Sequence, residues 1–213
     1  MTNSSTPQDL SCTNALDDGS PFNQVLYREP LWQSVSHRHR HLDDSLKQWL
    51  LDPSSLTKKL ITYSSGQLRV EVIDQRIKRA RFSEYNALKI KHHHHVVVRE
   101  VILYSRQTAL VYARTIMPLS TLKGSLRKLY YLGNRPLGGA LFADPSMRRG
   151  HLEIAPIGQN YLPEKIARTL STPSTDPGQK KLNRDCWGRR SLFFLRHKPL
   201  LVCEIFLPVL IDR

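Results

Sequence analysis

Two β-rich runs separated by only four residues place the strongest constraint on how this chain can fold. Residues 96–104 and 109–117 are rich in valine, isoleucine, threonine and tyrosine, which are enriched in strands. The intervening Ser-Arg-Gln-Thr leaves room only for a tight turn, so the two runs are predicted to pair as an antiparallel hairpin. Pro118 ends the second run, because proline cannot donate a hydrogen bond inside a sheet.

Further runs have the alternation or apolar density of strands, and three segments have helical spacing. The additional strands are predicted over residues 67–73, over 152–154 and, as a second hairpin turning at 196–199, over 187–207. Helices are predicted over residues 42–51 and 54–60, and a helical pattern punctuated by Gly133 and Pro136 is predicted over 120–143. A meander of antiparallel strands with inserted helices predicts a single domain of the α+β class.

Two segments differ in composition from that domain. Residues 1–24 are rich in serine, threonine, asparagine and aspartate, which predicts a flexible N-terminal tail before a domain at 25–213. Residues 158–185 combine glycine, proline, serine and a lysine pair around one helical stretch near 164–170. We interpret them as an insertion, and a segment of this length is typical of a functional lid or a disordered loop.

Cysteine usage and hydropathy predict a cytoplasmic protein without a membrane span. No stretch of 18 consecutive apolar residues occurs, and the N-terminus lacks the basic start and apolar run of a secretory signal. Cys12, Cys186 and Cys203 are odd in number and far apart, so they predict neither a disulfide framework nor a metal knuckle. Cys203 lies in an apolar run and is expected to be a buried thiol.

The net charge of +14 indicates an anionic partner without naming it. Nucleic acid, anionic membranes and anionic metabolites are all attracted by such a field. The basic residues are scattered along the chain and are not interleaved with aromatic residues, which argues against specific nucleic-acid binding. A basic nucleic-acid-binding module remains an alternative that only the charge favours, whereas steering of an anionic substrate needs the same field.

One arginine and one glutamate occupy strand positions where a charge is unusual. Arg99 shares a strand face with Val97 and Val101, so it needs an anionic partner if that face is buried. Glu204 is the only charged residue of the apolar run 200–207, where a carboxylate can bind a hydroxyl or move a proton. Spacing alone leaves open a ligand site, a structural Arg99–Glu204 ion pair, or two residues that reach solvent at strand ends.

Two histidine clusters carry no further metal-binding signal. They comprise His37, His39 and His41 and the run at 92–95. Neither is accompanied by a carboxylate or thiolate ligand set, so no functional metal site is predicted.

Seven sequence blocks, kept in order between about residues 26 and 208, resemble one known family. They are Arg-Glu-Pro-Leu-Trp-Gln at 28–33, Trp-Leu-Leu-Asp-Pro-Ser-Ser-Leu-Thr-Lys at 49–58, Val-Arg-Glu-Val-Ile-Leu at 98–103, Ala-Arg-Thr-Ile-Met-Pro-Leu-Ser-Thr-Leu at 113–122, Leu-Gly-Asn-Arg-Pro-Leu-Gly-Gly-Ala-Leu-Phe at 132–142, Trp-Gly-Arg-Arg-Ser at 187–191 and Lys-Pro-Leu-Leu-Val-Cys-Glu-Ile-Phe-Leu-Pro at 198–208. Together they are similar to the chorismate lyase family, which converts chorismate to 4-hydroxybenzoate and pyruvate at the start of ubiquinone biosynthesis.

The resemblance implies a role for each matching residue. The family's ring-carboxylate-binding arginine falls on Arg99, whose planar fork can hold a carboxylate with two parallel hydrogen bonds. Its glutamate, which faces the ring hydroxyl and is the candidate catalytic group, falls on Glu204, and two backbone contacts fall on Leu56 and Leu137. Arg114 and the pair 189–190, chiefly Arg189, are supporting candidates for the second carboxylate or for substrate entry.

The resemblance also implies a monomeric lyase with a buried pocket and no cofactor or metal. Its partners would be chorismate and 4-hydroxybenzoate, with Glu204 either moving a proton or only orienting the substrate. The insertion at 158–185, the histidines at 92–95 and the N-terminal tail depart from the family pattern. The alternative is a non-catalytic small-ligand sensor of similar fold, which would normally follow a helix-turn-helix that residues 1–40 do not show.

Overall fold

The computed structural model describes residues 29–35, 42–171 and 186–211, which form one antiparallel sheet with helices on both faces. The strands are β1 (Gln33–Ser34), β2 (Leu68–Lys78), β3 (Val96–Ser105), β4 (Thr108–Pro118), β5 (Arg148–Ile157), β6 (Cys186–Leu195) and β7 (Lys198–Phe206). The helices are α1 (Asp44–Leu50), α2 (Leu56–Tyr63), α3 (Phe82–Leu88), α4 (Leu137–Phe142), α5 (Glu164–Ser171) and α6 (Pro208–Ile211), with short 3-10 helices at Gly124–Leu129 and Gln159–Tyr161. The strand order is β1-β5-β6-β7-β4-β3-β2. The predicted α+β class is confirmed.

Both predicted hairpins are present, and their turns are short. Strands β3 and β4 pair from Val96 opposite Pro118 to Ser105 opposite Thr108. Strands β6 and β7 are joined by Arg196 and His197, with φ of 50° and 62°. Two consecutive residues with positive φ match the right-handed twist of the flanking strands, so this turn closes the hairpin two residues earlier than the 196–199 prediction.

The helical pattern predicted over 120–143, with interruptions at Gly133 and Pro136, corresponds to two short helices, the 3-10 helix at Gly124–Leu129 and α4. Gly133 adopts a left-handed conformation with φ of 54°, and Pro136 restricts the residue before it; together they separate the 3-10 helix from α4. Helix α3 was not predicted. Its first free N–H groups, on Phe82 and Ser83, donate to the distant Glu29 carboxylate at 2.8 and 3.0 Å, and Arg81 N–H donates to Glu84 at 2.8 Å.

Two strands are longer than their alternation predicted. Strand β2 continues to Lys78 through a register shift between Val72 and Asp74, and β5 begins at Arg148 with an irregularity between Arg149 and Leu152. Bulges insert one residue and reverse the alternation of faces. The alternation of apolar and polar residues in the sequence therefore covers only part of β2 and part of β5.

The sheet carries one apolar cluster on one face and two on the other. The single cluster packs beneath α3 and α5 and includes Ile102, Cys203 and Ile205. On the opposite face, one cluster lies beneath α1 and α2 and the other beneath the Gly124–Leu129 helix and α4. The candidate site lies between these last two clusters.

The predicted tail at 1–24 lies outside the described residues, and so does the insertion beyond Ser171. The described part of the insertion buries Tyr161, Leu162 and Ile166 in the α3–α5 cluster, on the face away from the candidate site. Cys203 is fully buried, and burial raises the pKa of its thiol to about 12. Within the described part of the chain, no helix is long and apolar enough to cross a membrane.

Candidate active site

A cavity lies between the sheet and the N-terminal ends of α2 and α4. Its floor is apolar and includes Val101, Ala113 and Val202 from the neighbouring strands β3, β4 and β7. Its charged lining residues are Arg99, Arg149, Arg189 and Glu204. An apolar wall with a few convergent polar groups is the usual form of a small-molecule site.

Arg99 is a buried cation without a carboxylate partner among the described residues. Its side chain donates to Gln75 Oε1 at 3.1 Å and to the carbonyl oxygens of Gly133 and Arg135 at 2.9 and 3.2 Å. The residue is 2% exposed, and burial lowers the pKa of its guanidinium. Neutral acceptors satisfy its hydrogen bonds but not its charge, so an anionic ligand would stabilise it.

Glu204 is paired with Arg189 and not with Arg99. Arg189 Nε donates to Glu204 Oε2 at 2.6 Å, and its Nη1 donates to the carbonyl oxygens of Trp49 and Asp52 at 2.8 and 2.7 Å. The direct Arg99–Glu204 ion pair, one of the structural alternatives, does not form. Because β4 lies between β3 and β7, the two backbones are about 10 Å apart across the sheet. Arg99 and Glu204 therefore line the cavity from strands that are two positions apart in the sheet.

Leu56 and Leu137, the two predicted backbone contacts, are the first residues of α2 and α4, and both line the cavity. Backbone N–H groups in a first helical turn have no intrahelical acceptor. The two helices touch at Gly138, where an added Cβ would lie 2.5 Å from Thr57 Oγ1. A glycine is needed for this closeness, which brings both helix ends over one cavity.

Arg114 lies on the opposite face of the sheet and does not line the cavity. It donates to Glu84 at 2.6 and 3.0 Å and to Glu100 at 2.8 Å, and it is 3% exposed. Its neighbour Ala113 faces the cavity, so alternation turns Arg114 away. Arg190 is likewise turned away and pairs with Glu153 at 2.7 Å. Of the supporting candidates, only Arg189 reaches the site.

Two site residues were not predicted. Gln75 positions Arg99 from β2, and Arg149 lines the cavity from β5. Both lie beyond the strand ends that alternation predicted, at 73 and at 152. An Arg-Arg pair at 148–149, shortly before the strand predicted at 152–154, was the available signal, since adjacent strand residues face opposite sides of a sheet.

The histidine run at 92–95 does not line the cavity. His37, His39 and His41 lie outside the described residues. Where the structure does describe the chain, no group of three histidine, cysteine, aspartate or glutamate side chains could hold a metal ion.

The cavity is apolar, and among the described residues two of its guanidinium groups have no carboxylate partner while its one carboxylate is paired; this is the form of a site for a small organic anion. Comparison with known proteins shows which family with such a site the chain belongs to. The family model described as Chorismate lyase matches residues 26–213, so the chain belongs to the chorismate lyase family, and the prediction of a lyase of this family is confirmed.

Individual relatives agree with this family. The chain is 37% identical over 167 residues to a "Probable chorismate pyruvate-lyase" of Methylococcus capsulatus, covering 78% of this chain and 97% of that protein. It is 36% identical to the protein of the same name from Psychromonas ingrahamii, covering 78% and 83%.

Solved structures give a weaker similarity. PhnF from Mycobacterium smegmatis has a TM-score of 0.49 at 12% identity, covering 74% of this chain and 65% of that one. A GntR-family transcriptional regulator from Bacillus cereus has a TM-score of 0.48 at 12% identity, covering 67% and 93%. Similarity of this extent does not distinguish one function from another.

Proposed function

We propose that the chain is a chorismate pyruvate-lyase that converts chorismate to 4-hydroxybenzoate and pyruvate, the first step of ubiquinone biosynthesis. The observation that carries the proposal is a buried Arg99 without a carboxylate partner among the described residues, in one cavity with Glu204. The proposal includes a monomer in the cytoplasm that needs no specific nucleic acid.

The substrate ring lies between Arg99 and Glu204. The ring carboxylate binds the Arg99 fork, which supplies the charge that its carbonyl partners leave unbalanced. The ring then packs on Val101, Ala113 and Val202, and its hydroxyl donates to the Glu204 carboxylate. Because a 4-hydroxybenzoate ring carries its carboxyl and hydroxyl groups at opposite ends, the separation of the two side chains across the sheet supports this orientation.

The reaction is an elimination that balances without another reactant. The ether bond between ring carbon 3 and the enolpyruvyl oxygen breaks, and the C–H bond at carbon 4 supplies the electron pair of the third ring double bond. The proton ends on the methylene carbon of the leaving group, which becomes pyruvate. Fixing the reactive conformer lowers the barrier, and Glu204, held by Arg189, assists the proton's movement.

The direct test uses purified protein and chorismate without added metal or cofactor. 4-Hydroxybenzoate and pyruvate are expected to form together in equal amounts, and no formation of either contradicts the proposal. Glu204→Gln is expected to lower kcat by about 100-fold or more if Glu204 moves the proton. The matched control is Glu164→Gln on the exposed face of α5, which is expected to change nothing. Unchanged turnover in Glu204→Gln restricts Glu204 to orienting the substrate.

A further inference from the structure

A second guanidinium in the cavity has no carboxylate partner in the described part of the chain. Arg149 Nε donates to Ser191 Oγ at 3.1 Å and its Nη1 donates to the carbonyl oxygen of Pro53 at 2.9 Å. Its guanidinium carbon lies 5.3 Å from the centroid of the Phe193 ring. These partners are neutral, so they fix the side chain's direction and leave its charge unbalanced.

The surroundings of Arg149 favour an anion. Burial and the nearby positive charge of Arg189 lower the pKa of Arg149, and Glu204 and Asp52 only partly oppose them. Arg189 differs from Arg149 because its Nε already donates to the Glu204 carboxylate, which balances its charge, and its Nη1 donates to backbone carbonyls. With Glu204 neutralised by Arg189, the lining holds two positive charges without a carboxylate, on Arg99 and Arg149.

The strand order places those two charges on either side of Glu204. Arg99 stands on β3, Glu204 on β7 and Arg149 on β5, with β4 and β6 between them. An anion bound by Arg149 therefore lies beyond Glu204 as seen from Arg99. In chorismate, the enolpyruvyl group is attached next to the hydroxyl, so its carboxylate lies beyond the hydroxyl end of the ring.

We propose that Arg149 binds the enolpyruvyl carboxylate and makes the cavity selective for dicarboxylates over monocarboxylates. This inference rests on the proposed function. It predicts an order of events after cleavage, since pyruvate loses its link to the ring and leaves from Arg149 while 4-hydroxybenzoate stays on Arg99. Charge-assisted bidentate hydrogen bonds are the strong class of such contacts, so the effect on a dicarboxylate should be large.

The test measures binding without turnover. Two probes are titrated calorimetrically into the full chain: 4-hydroxybenzoate, and its derivative with a carboxymethoxy group beside the hydroxyl, which is aromatic and cannot react. The variants are Arg149→Met, Arg149→Lys and, as the matched control, Arg148→Met, which removes the exposed arginine of the same pair. Arg149→Met is expected to weaken the dicarboxylate by roughly 10- to 100-fold and 4-hydroxybenzoate by less than about threefold. Arg149→Lys should be intermediate.

The possible outcomes distinguish a failure of the proposed role of Arg149 from a failure of the lyase proposal. Equal losses for both probes in Arg149→Met, or no loss for either, overturn the inference, and retained 4-hydroxybenzoate binding shows that the variant is folded. A selective loss in a protein that does not turn over chorismate supports the role of Arg149 and rejects the lyase proposal. Normal chorismate turnover with an unchanged dicarboxylate affinity in Arg149→Met rejects the inference and leaves the lyase proposal intact.

Discussion

Replacing Arg189 by methionine is expected to destabilise the fold by about 3 kcal/mol. Breaking a buried ion pair leaves the remaining charge without compensation, which typically costs about 3–5 kcal/mol. The Glu204 side chain is 18% exposed, so water can solvate part of its charge and the lower end applies. The carbonyl groups of Trp49 and Asp52 also lose their donor, at about 1 kcal/mol each when they are not rehydrated.

A double-mutant cycle measures the pair itself. Arg189→Met, Glu204→Gln and the double variant are unfolded in urea, with intrinsic tryptophan fluorescence as the readout. The free energy of unfolding should fall in the double variant by about 1–3 kcal/mol less than the summed losses of the two single variants. The control is Arg190→Met, which removes the next arginine of β6 from the other face and its pair with Glu153. Coupling below about 0.5 kcal/mol would refute the claim that Arg189 neutralises Glu204.

Three further predictions follow from contacts around the cavity. Added 4-hydroxybenzoate should inhibit chorismate turnover competitively in progress curves, and Arg99→Lys, which cannot form the two-pronged contact, should weaken that inhibition by roughly tenfold. Gly138→Ala should lower kcat/KM and thermal stability, because the added Cβ would lie 2.5 Å from Thr57 Oγ1. Thr57→Ser keeps that hydroxyl oxygen, so restored activity in a Gly138→Ala, Thr57→Ser double variant would show that the hydroxyl is not the obstacle. Burial raises the pKa of Asp52, but hydrogen bonds from its own loop and from Lys59 outweigh it and lower the pKa to about 2. A carboxylate whose pKa is lower in the folded state stabilises the fold at pH values above its unfolded-state pKa. Asp52→Asn should therefore be less stable than the parent at pH 7, and the difference in their free energies of urea unfolding should shrink between about pH 4 and pH 2.

The sheet could be predicted from the sequence where its signals are local. Strands β3 and β4 are long apolar runs joined by a short turn, and both properties are visible in about 20 residues. The ends of β2 and β5 could not be predicted, because their irregularities at 72–74 and 149–152 reverse the alternation. Gln75 and Arg149 were missed with them. Helix α3 receives part of its N-terminal cap from Glu29, which only the folded chain brings near.

The pairing of Arg189 with Glu204 depends on the register of the β6–β7 hairpin. A two-residue turn at Arg196 and His197 sets Arg189 directly opposite Glu204, whereas the predicted four-residue turn shifts that partner by two positions. The sequence singled out Arg99 and Glu204, because each is the one charge among aliphatic residues on its strand face, but spacing alone did not show whether those faces are buried. The sequence did not determine on which face of the sheet Arg114 lies, because this depends on the register between β4 and β3. In that register Arg114 lies opposite Glu100.

The assignment of the two ring ends is tested most directly by comparing benzoate with 4-hydroxybenzoate, which differ only in the hydroxyl group. We predict that the parent chain binds 4-hydroxybenzoate at least tenfold more tightly, since a hydrogen bond to a charged acceptor contributes about 1.5–3 kcal/mol. Glu204→Gln should reduce that advantage by roughly tenfold and leave benzoate affinity unchanged, because the charge-assisted bond becomes a neutral one. Arg99→Lys should weaken both ligands alike. An undiminished hydroxyl advantage in Glu204→Gln would contradict the placement of the ring between Arg99 and Glu204.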